Sequence, residues 1–205
     1  MEIQIILLIL ITGTFAQSDM KGKVFLFPKP TATAHVILKP NITKPLEKVT
    51  VCLKSYTELT RTYSLFSLAK HSEGHNTFLI FPKPPNNCLV YVQEVENVFK
   101  IDTEVLDWQH TCVSWDSSTG VIQLWINGKL YPRRVSKKGA TIGPKTSIVL
   151  GQDQDSFGGG FDINQSFSGE KSDVHMWDYV LTPEDMQKGM AGGFNGNLIN
   201  WNSLN

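Results

Sequence analysis

The sequence predicts an all-β fold, a β-sandwich that carries one short helix. Short runs rich in Val, Ile, Leu, Thr and aromatic residues recur along the chain, and turn residues separate them. These runs do not alternate with long helical patterns, as they would in a protein built from βαβ units. The dipeptide Asn127-Gly128 joins two of the runs and is typical of a tight β-hairpin.

Ten runs are predicted as strands because β-branched and aromatic residues favour extended backbone. Many of them are followed by Pro, Asn, Asp or Gly, which ends a strand in a turn. In chain order the predicted strands are 23–27, 35–38, 49–53, 63–68, 77–81, 89–92, 111–115, 121–126, 147–150 and 173–177.

The segment 182–190, TPEDMQKGM, is predicted as the one helix. Its threonine can cap the first turn, its proline suits the first helical position, and its two acidic residues complement the helix dipole. Met186 and Met190 lie four positions apart, so both are expected to face the sandwich. Gly192 and Gly193 are expected to end the helix.

The N-terminal residues 1–16 are predicted to be a secretory signal peptide, leaving a single domain at 17–205. The apolar run is far shorter than the about 20 residues that span a bilayer, so the mature protein is expected to be secreted, extracellular and not an integral membrane protein. Lys plus Arg and Asp plus Glu balance at 19 each, so no net charge directs the chain to an acidic or basic partner. The basic cluster at 133–138 is interpreted as a solvated loop.

Three cysteines follow the signal peptide, at Cys52, Cys88 and Cys112. In an oxidising compartment two of them are expected to pair, but their number alone does not select the pair. Asn41 begins an Asn-Ile-Thr sequon in a proline-flanked segment and is predicted to be glycosylated.

The segment 150–166, LGQDQDSFGGGFDINQS, combines acidic and amide side chains with glycines, and no Lys or Arg occurs between Lys145 and Lys171. Calcium prefers six to eight oxygen ligands of these kinds. A solvated glycine-rich loop is the alternative interpretation. An EF-hand does not fit, because Phe157 occupies a ligand position and Asn164 stands in place of the bidentate Glu.

The segment 110–117, HTCVSWDS, resembles the signature of the pentraxin family. Six further segments resemble the same family in the same order, so the resemblance covers nearly the whole domain. They are QSDMKGKVFLFP from 17, KPLEKVTVCLKSYTEL from 44, YSLFSLA from 63, GQDQDSFGG from 151, VHMWDYVLTPED from 174 and LINWNSL from 198.

The resemblance implies a flattened jelly-roll sandwich of the lectin or laminin-G type, with the helix on one face and five identical subunits in a ring. It also selects Cys52 and Cys112 as the disulfide pair. Cys88 is then an additional thiol, which is buried and inert, bonded to another molecule or partly oxidised.

The family's calcium ligands carry over by position to this chain. The resemblance implies two Ca²⁺ ions per subunit, held by carboxylate, amide and backbone carbonyl oxygens from two loops. The corresponding ligands are Asp153, the backbone carbonyl of Gln154, Asp155, Asp162, Gln165 and Asn76.

His75 stands where the resemblance places a further carboxylate ligand. Imidazole is a poor ligand for calcium, which prefers oxygen. We therefore expect weaker or more pH-sensitive calcium binding than in relatives with Asp at this position, unless Glu73 supplies the missing carboxylate.

The resemblance also implies a site for phosphocholine or phosphoethanolamine, whose phosphate binds directly to calcium. Phe81 corresponds to the apolar wall beside the choline methyl groups, and Glu96 to the carboxylate that faces the ammonium. Tyr91 replaces a smaller residue and is expected to narrow this pocket.

These features predict a calcium-dependent pattern-recognition protein of innate immunity, opsonin-like, related to acute-phase proteins and without catalytic activity. Its expected partners are surfaces bearing phosphocholine or phosphoethanolamine, carbohydrate, and complement components. A laminin-G-like adhesion or glycan-binding module is the alternative. A β-sandwich glycoside hydrolase using Asp153 and Asp155 is a more distant one.

Overall fold

A computed structural model describes residues 19–71, 74–102 and 107–204 of the chain. The predicted signal peptide at 1–16 and the residue Glu73 lie outside the described residues. The predicted fold class is confirmed, because the described residues form two antiparallel sheets and one short α-helix.

The strands are short, and all of their pairings are antiparallel. In chain order they are β1 Phe25–Phe27, β2 Val36–Leu38, β3 Lys48–Tyr56, β4 Phe66–Lys70, β5 Gly74–Lys83, β6 Asn87–Val92, β7 Val95–Lys100, β8 Gln109–Asp116, β9 Val121–Ile126, β10 Lys129–Leu130, β11 Arg134–Val135, β12 Thr146–Leu150, β13 Gly169–Trp177 and β14 Ile199–Asn200. The helix α1 spans Pro183–Lys188.

The first sheet has the order β1-β13-β3-β8-β9-β10, with β11 beside β9 and β14 beside β13. The second sheet has the order β2-β12-β4-β5-β6-β7. Consecutive strands such as β3 and β4, or β12 and β13, lie in opposite sheets, so the chain crosses repeatedly between the two layers. The first is called the eight-stranded sheet and the second the six-stranded sheet below.

The core lies between the two sheets, where alternate residues of each strand meet. Val51 and Leu53 of β3 face it from one sheet, and Phe78 and Ile80 of β5 face it from the other. Burial of these side chains on both inner faces fixes the register, because a shift by one residue would turn them outward.

Each of the ten predicted runs overlaps a strand, and the Asn127-Gly128 turn joins β9 to β10 with φ of 47° and 79°. The sequence pattern predicts neither β7 nor the two-residue strands β10, β11 and β14. β7 is an edge strand whose residues are mostly exposed, so hydrophobicity does not mark it. Its position depends instead on pairing with β6.

The helix α1 lies on the outer face of the eight-stranded sheet. Thr182 caps it by accepting a hydrogen bond from the Asp185 N–H at 3.1 Å, and Met186 is buried beneath it. It ends at Lys188, before the predicted end, because 189–193 form a π-helical turn in which Gly192 has φ of 101°. No helix among the described residues has the length and apolar composition needed to cross a bilayer.

The expected disulfide between Cys52 and Cys112 is formed. It joins the neighbouring strands β3 and β8 and packs with Trp125, Trp177 and Met186 in a small cluster under the helix. Cys88 is a free thiol on the inner side of β6, and burial raises its pKa to about 12.

Lys171 of β13 is fully buried between the sheets. Its Nζ donates hydrogen bonds to the carbonyls of Ser64 at 3.0 Å and Leu65 at 2.9 Å, and it lies 4.1 Å from the ring centroid of Phe167. Burial lowers the pKa of this amine well below its usual value. Lys171 thereby connects the eight-stranded sheet to the chain that leads into β4.

Candidate metal centre

The outer face of the six-stranded sheet carries a row of cross-strand neighbours. Ser67 of β4 pairs with Leu79 of β5, and Leu79 pairs with Tyr91 of β6. Tyr91 in turn pairs with Glu96 of β7. The residues that alternate with them face the core, so this row faces outward, on the side of the molecule opposite the helix.

A small apolar patch lies on this outer face. Leu79, Phe81 and Leu89 form a buried cluster there, and the half-buried Tyr91 packs against it. Phe81 is thus on the surface predicted to receive an apolar part of a ligand, and it is 7 % exposed.

The acidic loop, defined as residues 151–166, leaves the end of β12 beside Ser67. Gln154 is fully buried, and its Nε2 donates hydrogen bonds to the carbonyls of Ser67 at 2.9 Å and Ser147 at 3.2 Å. Its Oε1 accepts a hydrogen bond from the Gly158 N–H at 2.9 Å. Because this side chain is committed to holding the loop against the sheet, only the backbone carbonyl of Gln154 is available as a ligand.

Asp153 is 3 % exposed, and its Oδ1 accepts a hydrogen bond from Ser67 Oγ at 3.5 Å. Burial raises its pKa to about 6, and the negative charges of Asp155 and Glu94 add to this effect. The Gln154 N–H and the Ser67 hydroxyl oppose the increase by stabilising the carboxylate. A buried carboxylate among like charges favours the arrival of a cation.

The second half of the loop is held from the β3–β4 connection. Asp162 Oδ1 accepts hydrogen bonds from the backbone N–H and the side-chain amide of Asn164, at 2.9 and 3.0 Å. Arg61 donates to the Asn164 carbonyl at 2.9 Å, and its charge interacts with Asp162. The negative charge of the loop is therefore partly balanced by an arginine that is distant in sequence.

Asn76 and His75 lie in β5, which begins at Gly74, whereas the sequence places both in a loop before the strand. Asn76 Oδ1 is buried without a hydrogen-bond partner, and so is Gln165 Oε1 in the acidic loop. Gln165 is held by its backbone carbonyl, which accepts from the Ser64 N–H at 2.9 Å. His75 is exposed.

Glu94 is a neighbour of the site that the sequence analysis does not identify. It occupies the two-residue turn between β6 and β7, and its Oε1 accepts a hydrogen bond from the Asn76 N–H at 2.7 Å. Ser67, which anchors Asp153 and Gln154, is also missed. Both reach the site through strand pairing, and the pairing of β5 with β6 is the signal that places Glu94 opposite Asn76.

The oxygen atoms assembled here fit a hard divalent cation. The described residues contain five buried side-chain polar atoms without a partner, and four of them belong to the acidic loop or to segments beside it: Ser64 Oγ, Asn76 Oδ1, Gln152 Oε1 and Gln165 Oε1. Leaving such an atom unsatisfied costs about 1–3 kcal/mol. Two of these atoms, Asn76 Oδ1 and Gln165 Oε1, belong to predicted ligands, and a cation that takes carboxylate and amide oxygens would satisfy them. Calcium is the ion with this preference.

Glu94 contacts the backbone of Asn76, and the charges of Asp155 and Glu94 both act on Asp153. Asp162 instead bonds within the loop and faces Arg61. Only one trio of His, Cys or acidic residues in the described chain has ligand atoms within 4.8 Å, and it is Cys52, His110 and Cys112. Both sulfurs of that trio are in the disulfide, so it does not bind a metal.

Tyr91 and Glu96 are engaged with each other. The Tyr91 hydroxyl donates a hydrogen bond to Glu96 Oε2 at 2.5 Å. Partial burial and this bond raise the pKa of Tyr91 above its usual value. A ligand that uses the carboxylate of Glu96 must therefore share it with Tyr91 or displace the hydroxyl.

A cavity of about 180 Å³ lies elsewhere, at one end of the sandwich, where Tyr63, Pro84 and Cys88 contribute to its lining. Ile101 and Asp107 also line it. Because none of the predicted ligands lines it, we assign the functional site to the outer sheet face and not to this cavity.

Comparisons with known proteins identify the family of the chain. The chain matches the Pentaxin family over residues 23–205. It is 59 % identical to C-reactive protein of Xenopus laevis over 199 residues, which cover 96 % of this chain and 84 % of the relative. It is 42 % identical to serum amyloid P-component of Bos taurus, with coverages of 96 % and 88 %.

A solved structure has the same fold. The native heptameric SAP-like pentraxin from Limulus polyphemus superposes with a TM-score of 0.79 at 26 % identity, and the match covers 87 % of each chain. The family match over residues 23–205 includes every residue of the site. The chain therefore belongs to the pentraxin family, also written pentaxin.

Proposed function

We propose that this chain is a secreted recognition protein of innate immunity that uses calcium to bind phosphate-bearing head groups. The observation that carries the proposal is the buried carboxylate of Asp153 together with the unpartnered amide oxygens of Asn76 and Gln165, on the two segments that the resemblance assigns to the site. These atoms lie next to an apolar patch on an open sheet face. Pentraxins bind calcium and act as recognition proteins without catalytic activity, so the hydrolase alternative is set aside.

Two calcium ions per subunit would be held by oxygen ligands alone. The ion supplies positive charge that binds a phosphate oxygen directly. The residues proposed to hold it are Asn76, Asp153, the carbonyl of Gln154, Asp155, Asp162 and Gln165. Asp162 would have to turn from Asn164 toward the ion, which predicts that this part of the loop rearranges on binding.

The amine end of the head group would lie over the apolar patch. Phe81 and Leu89 provide an apolar surface, and Glu96 provides the negative charge for the ammonium. Because the Tyr91 ring packs against this patch and its hydroxyl holds Glu96, space for three methyl groups is restricted. We therefore expect phosphoethanolamine to bind at least as tightly as phosphocholine.

Secretion, glycosylation and assembly are part of the same proposal. We propose that residues 1–16 are removed, that the remaining domain 17–205 is glycosylated at the exposed Asn41, and that five subunits form a ring. Such a ring multiplies weak single sites into avidity for a surface and presents them to complement components. The relative from Limulus polyphemus is described as heptameric, so the subunit number has to be measured by native mass spectrometry.

Retention on phosphoethanolamine resin tests the proposal. We expect the protein to bind in millimolar calcium and to elute with a chelator. Asp155→Asn is expected to lose retention, because it removes the charge of a proposed calcium ligand. Since Asp155 is exposed, we expect the variant to fold. Asp178→Asn, which alters an aspartate near the end of β13 on the other sheet, is the matched control and should be retained.

Retention that persists in chelator would contradict the calcium mechanism. Binding to carbohydrate resin with none to either phosphate resin would instead favour the glycan-binding alternative. Equal retention of Asp155→Asn and wild type would remove the acidic loop from the site.

A further inference from the structure

Glu94 is held in place by an unusual turn. Gln93 and Glu94 form the whole connection between β6 and β7, and their φ values are 48° and 67°. Positive φ at both central positions is the geometry of the two-residue hairpin turn, which usually contains Asn or Gly. A glutamate at the second position costs some backbone strain, and its side chain is thereby directed to a defined place.

That place is the start of β5, beside the predicted ligand Asn76. Glu94 Oε1 accepts the Asn76 N–H at 2.7 Å. Gly74 has φ of 140°, and a Cβ built on it would approach Glu94 Oε1 to less than van der Waals distance. The carboxylate therefore occupies space that any other residue at position 74 would fill.

The charge of Glu94 is not neutralised by the protein. None of the ion pairs among the described residues includes Glu94. Its second oxygen, Oε2, accepts no hydrogen bond from the part of the chain that the structure describes. Its charge adds to the increase in the pKa of Asp153, after the larger effects of burial and Asp155.

An unpartnered amide oxygen next to this charge points to a cation and not to a solvated acidic cluster. Asn76, whose N–H holds Glu94, has its own side-chain oxygen buried without a partner. Gln165 of the acidic loop also has a buried side-chain oxygen without a partner. Position 75, next to Asn76, carries an exposed histidine and supplies no carboxylate.

We propose that Glu94 supplies the cation site with the carboxylate charge that residue 75 lacks. The negative charge on the β5 side of the site then comes from the neighbouring hairpin turn, across the sheet, and not from the strand that holds Asn76. This inference rests on the proposed calcium site. It gives Glu94 the compensating role that the sequence analysis considers for Glu73.

Calcium titration calorimetry of a double-mutant cycle tests the proposal. Glu94→Gln keeps an oxygen that accepts the Asn76 N–H and removes only the charge, so we expect calcium affinity to fall at least tenfold. His75→Asp alone should change the affinity less than threefold, because Glu94 already supplies the charge. His75→Asp in the Glu94→Gln background should raise calcium affinity at least tenfold. This non-additivity would show that a carboxylate at either position can supply the charge.

Glu184→Gln is the matched control, since it removes the same charge from an exposed glutamate of α1 on the opposite face of the molecule. Its calcium affinity should equal that of the wild type. Thermal unfolding in chelator should show that Glu94→Gln folds; if it does not, Glu94→Asp, which keeps the charge, should bind calcium more tightly than Glu94→Ala.

The outcomes separate this inference from the proposed function. A wild type that binds calcium together with a Glu94→Gln variant of equal affinity overturns the role of Glu94 alone. Additive effects of the two mutations would contradict the claim that Glu94 supplies the charge that residue 75 lacks. A wild type that binds no calcium overturns the proposed function and this inference together.

Discussion

At the scale of single residues, Asp153 is a buried carboxylate at the proposed cation site. Its carboxylate is buried against the sheet with one weak hydrogen bond from Ser67 and with two like charges nearby. Without a cation, this arrangement makes the ionised form costly. This loss of stability is one that a divalent ion bound at the proposed site would reverse.

We expect this cost to be visible in the pH dependence of stability. In calcium-free buffer the folded-state pKa of Asp153 is about 6, above its usual 3.8, so the folded protein binds this proton more tightly than the unfolded chain does. Its free energy of unfolding should therefore fall by about 3 kcal/mol relative to that of Asp153→Asn as the pH rises from about 3 to about 7. Urea denaturation at several pH values measures the difference.

The comparison with Asp153→Asn is needed because two histidines act in the opposite sense. Burial lowers the pKa of His110 and His175 to about 4, so both contribute stability that increases as the pH rises. Their contribution is common to both proteins and cancels in the difference. Parallel curves for wild type and variant would contradict the assignment of the raised pKa to Asp153.

Local composition was enough to identify the oxygen-rich loop but not its neighbours in space. The acidic loop contains Asp153 and Asp155 together with several Asn and Gln side chains, so its oxygen-rich composition is visible within one segment of the sequence. Ser67 and Glu94 come from other strands and enter the site only through the pairing of β4, β5 and β6. The roles of these residues as ligands stay predictions.

At the scale of elements, the helix and the acidic loop lie on opposite outer faces of the sandwich. α1 packs Met186 against Trp177 and the disulfide on the eight-stranded sheet. The acidic loop packs Gln154 against β4 and β12 of the six-stranded sheet. Because the core separates the two, a change under the helix should not alter the metal site.

Met186→Ala tests this separation. Removing a side chain that is 1 % exposed should lower the free energy of unfolding by about 2–4 kcal/mol, from lost burial and the cavity left behind. Calcium affinity by calorimetry should stay within twofold of the wild type. A parallel loss of affinity would show that the two faces are coupled through the core.

Hydrophobic runs predicted where most strands occur, but not where each strand begins and ends. β5 begins at Gly74 and not at Thr77, because pairing with β4 and β6 extends it beyond its apolar residues. The same pairing creates β7, whose exposed Val and Glu residues resemble a loop in sequence. The start of β5 and the existence of β7 both depend on pairing with neighbouring strands. The sequence of a single strand does not contain this information.

At the scale of the whole molecule, the disulfide closes a loop that contains most of one sheet. Cys52 and Cys112 are 60 residues apart, and β4 to β7 lie between them. The cross-link joins two central strands of the eight-stranded sheet, yet it restricts the unfolded freedom of the segment that builds the opposite sheet. The residues that link β7 to β8 include 103–106, outside the described chain.

The double variant Cys52→Ala/Cys112→Ala should therefore lose about 4 kcal/mol of unfolding free energy by the chain-entropy estimate. Cys88→Ala, which removes a buried thiol without opening a loop, is the control and should lose about 1 kcal/mol. Guanidinium denaturation measures both. Equal stability of the two variants would show that the cross-link contributes little beyond its packing.

The rate at which Lys171 is chemically modified reports how often the two sheets separate. Reagents that acylate amines modify exposed lysines within minutes, but they meet this Nζ only when the two sheets separate, because it is fully buried and bonded to Ser64 and Leu65. The rate of this modification, followed by peptide mass spectrometry, therefore measures how often the sandwich opens in native buffer. If calcium lowers that rate, binding of the ion at the surface controls how often the interior is exposed.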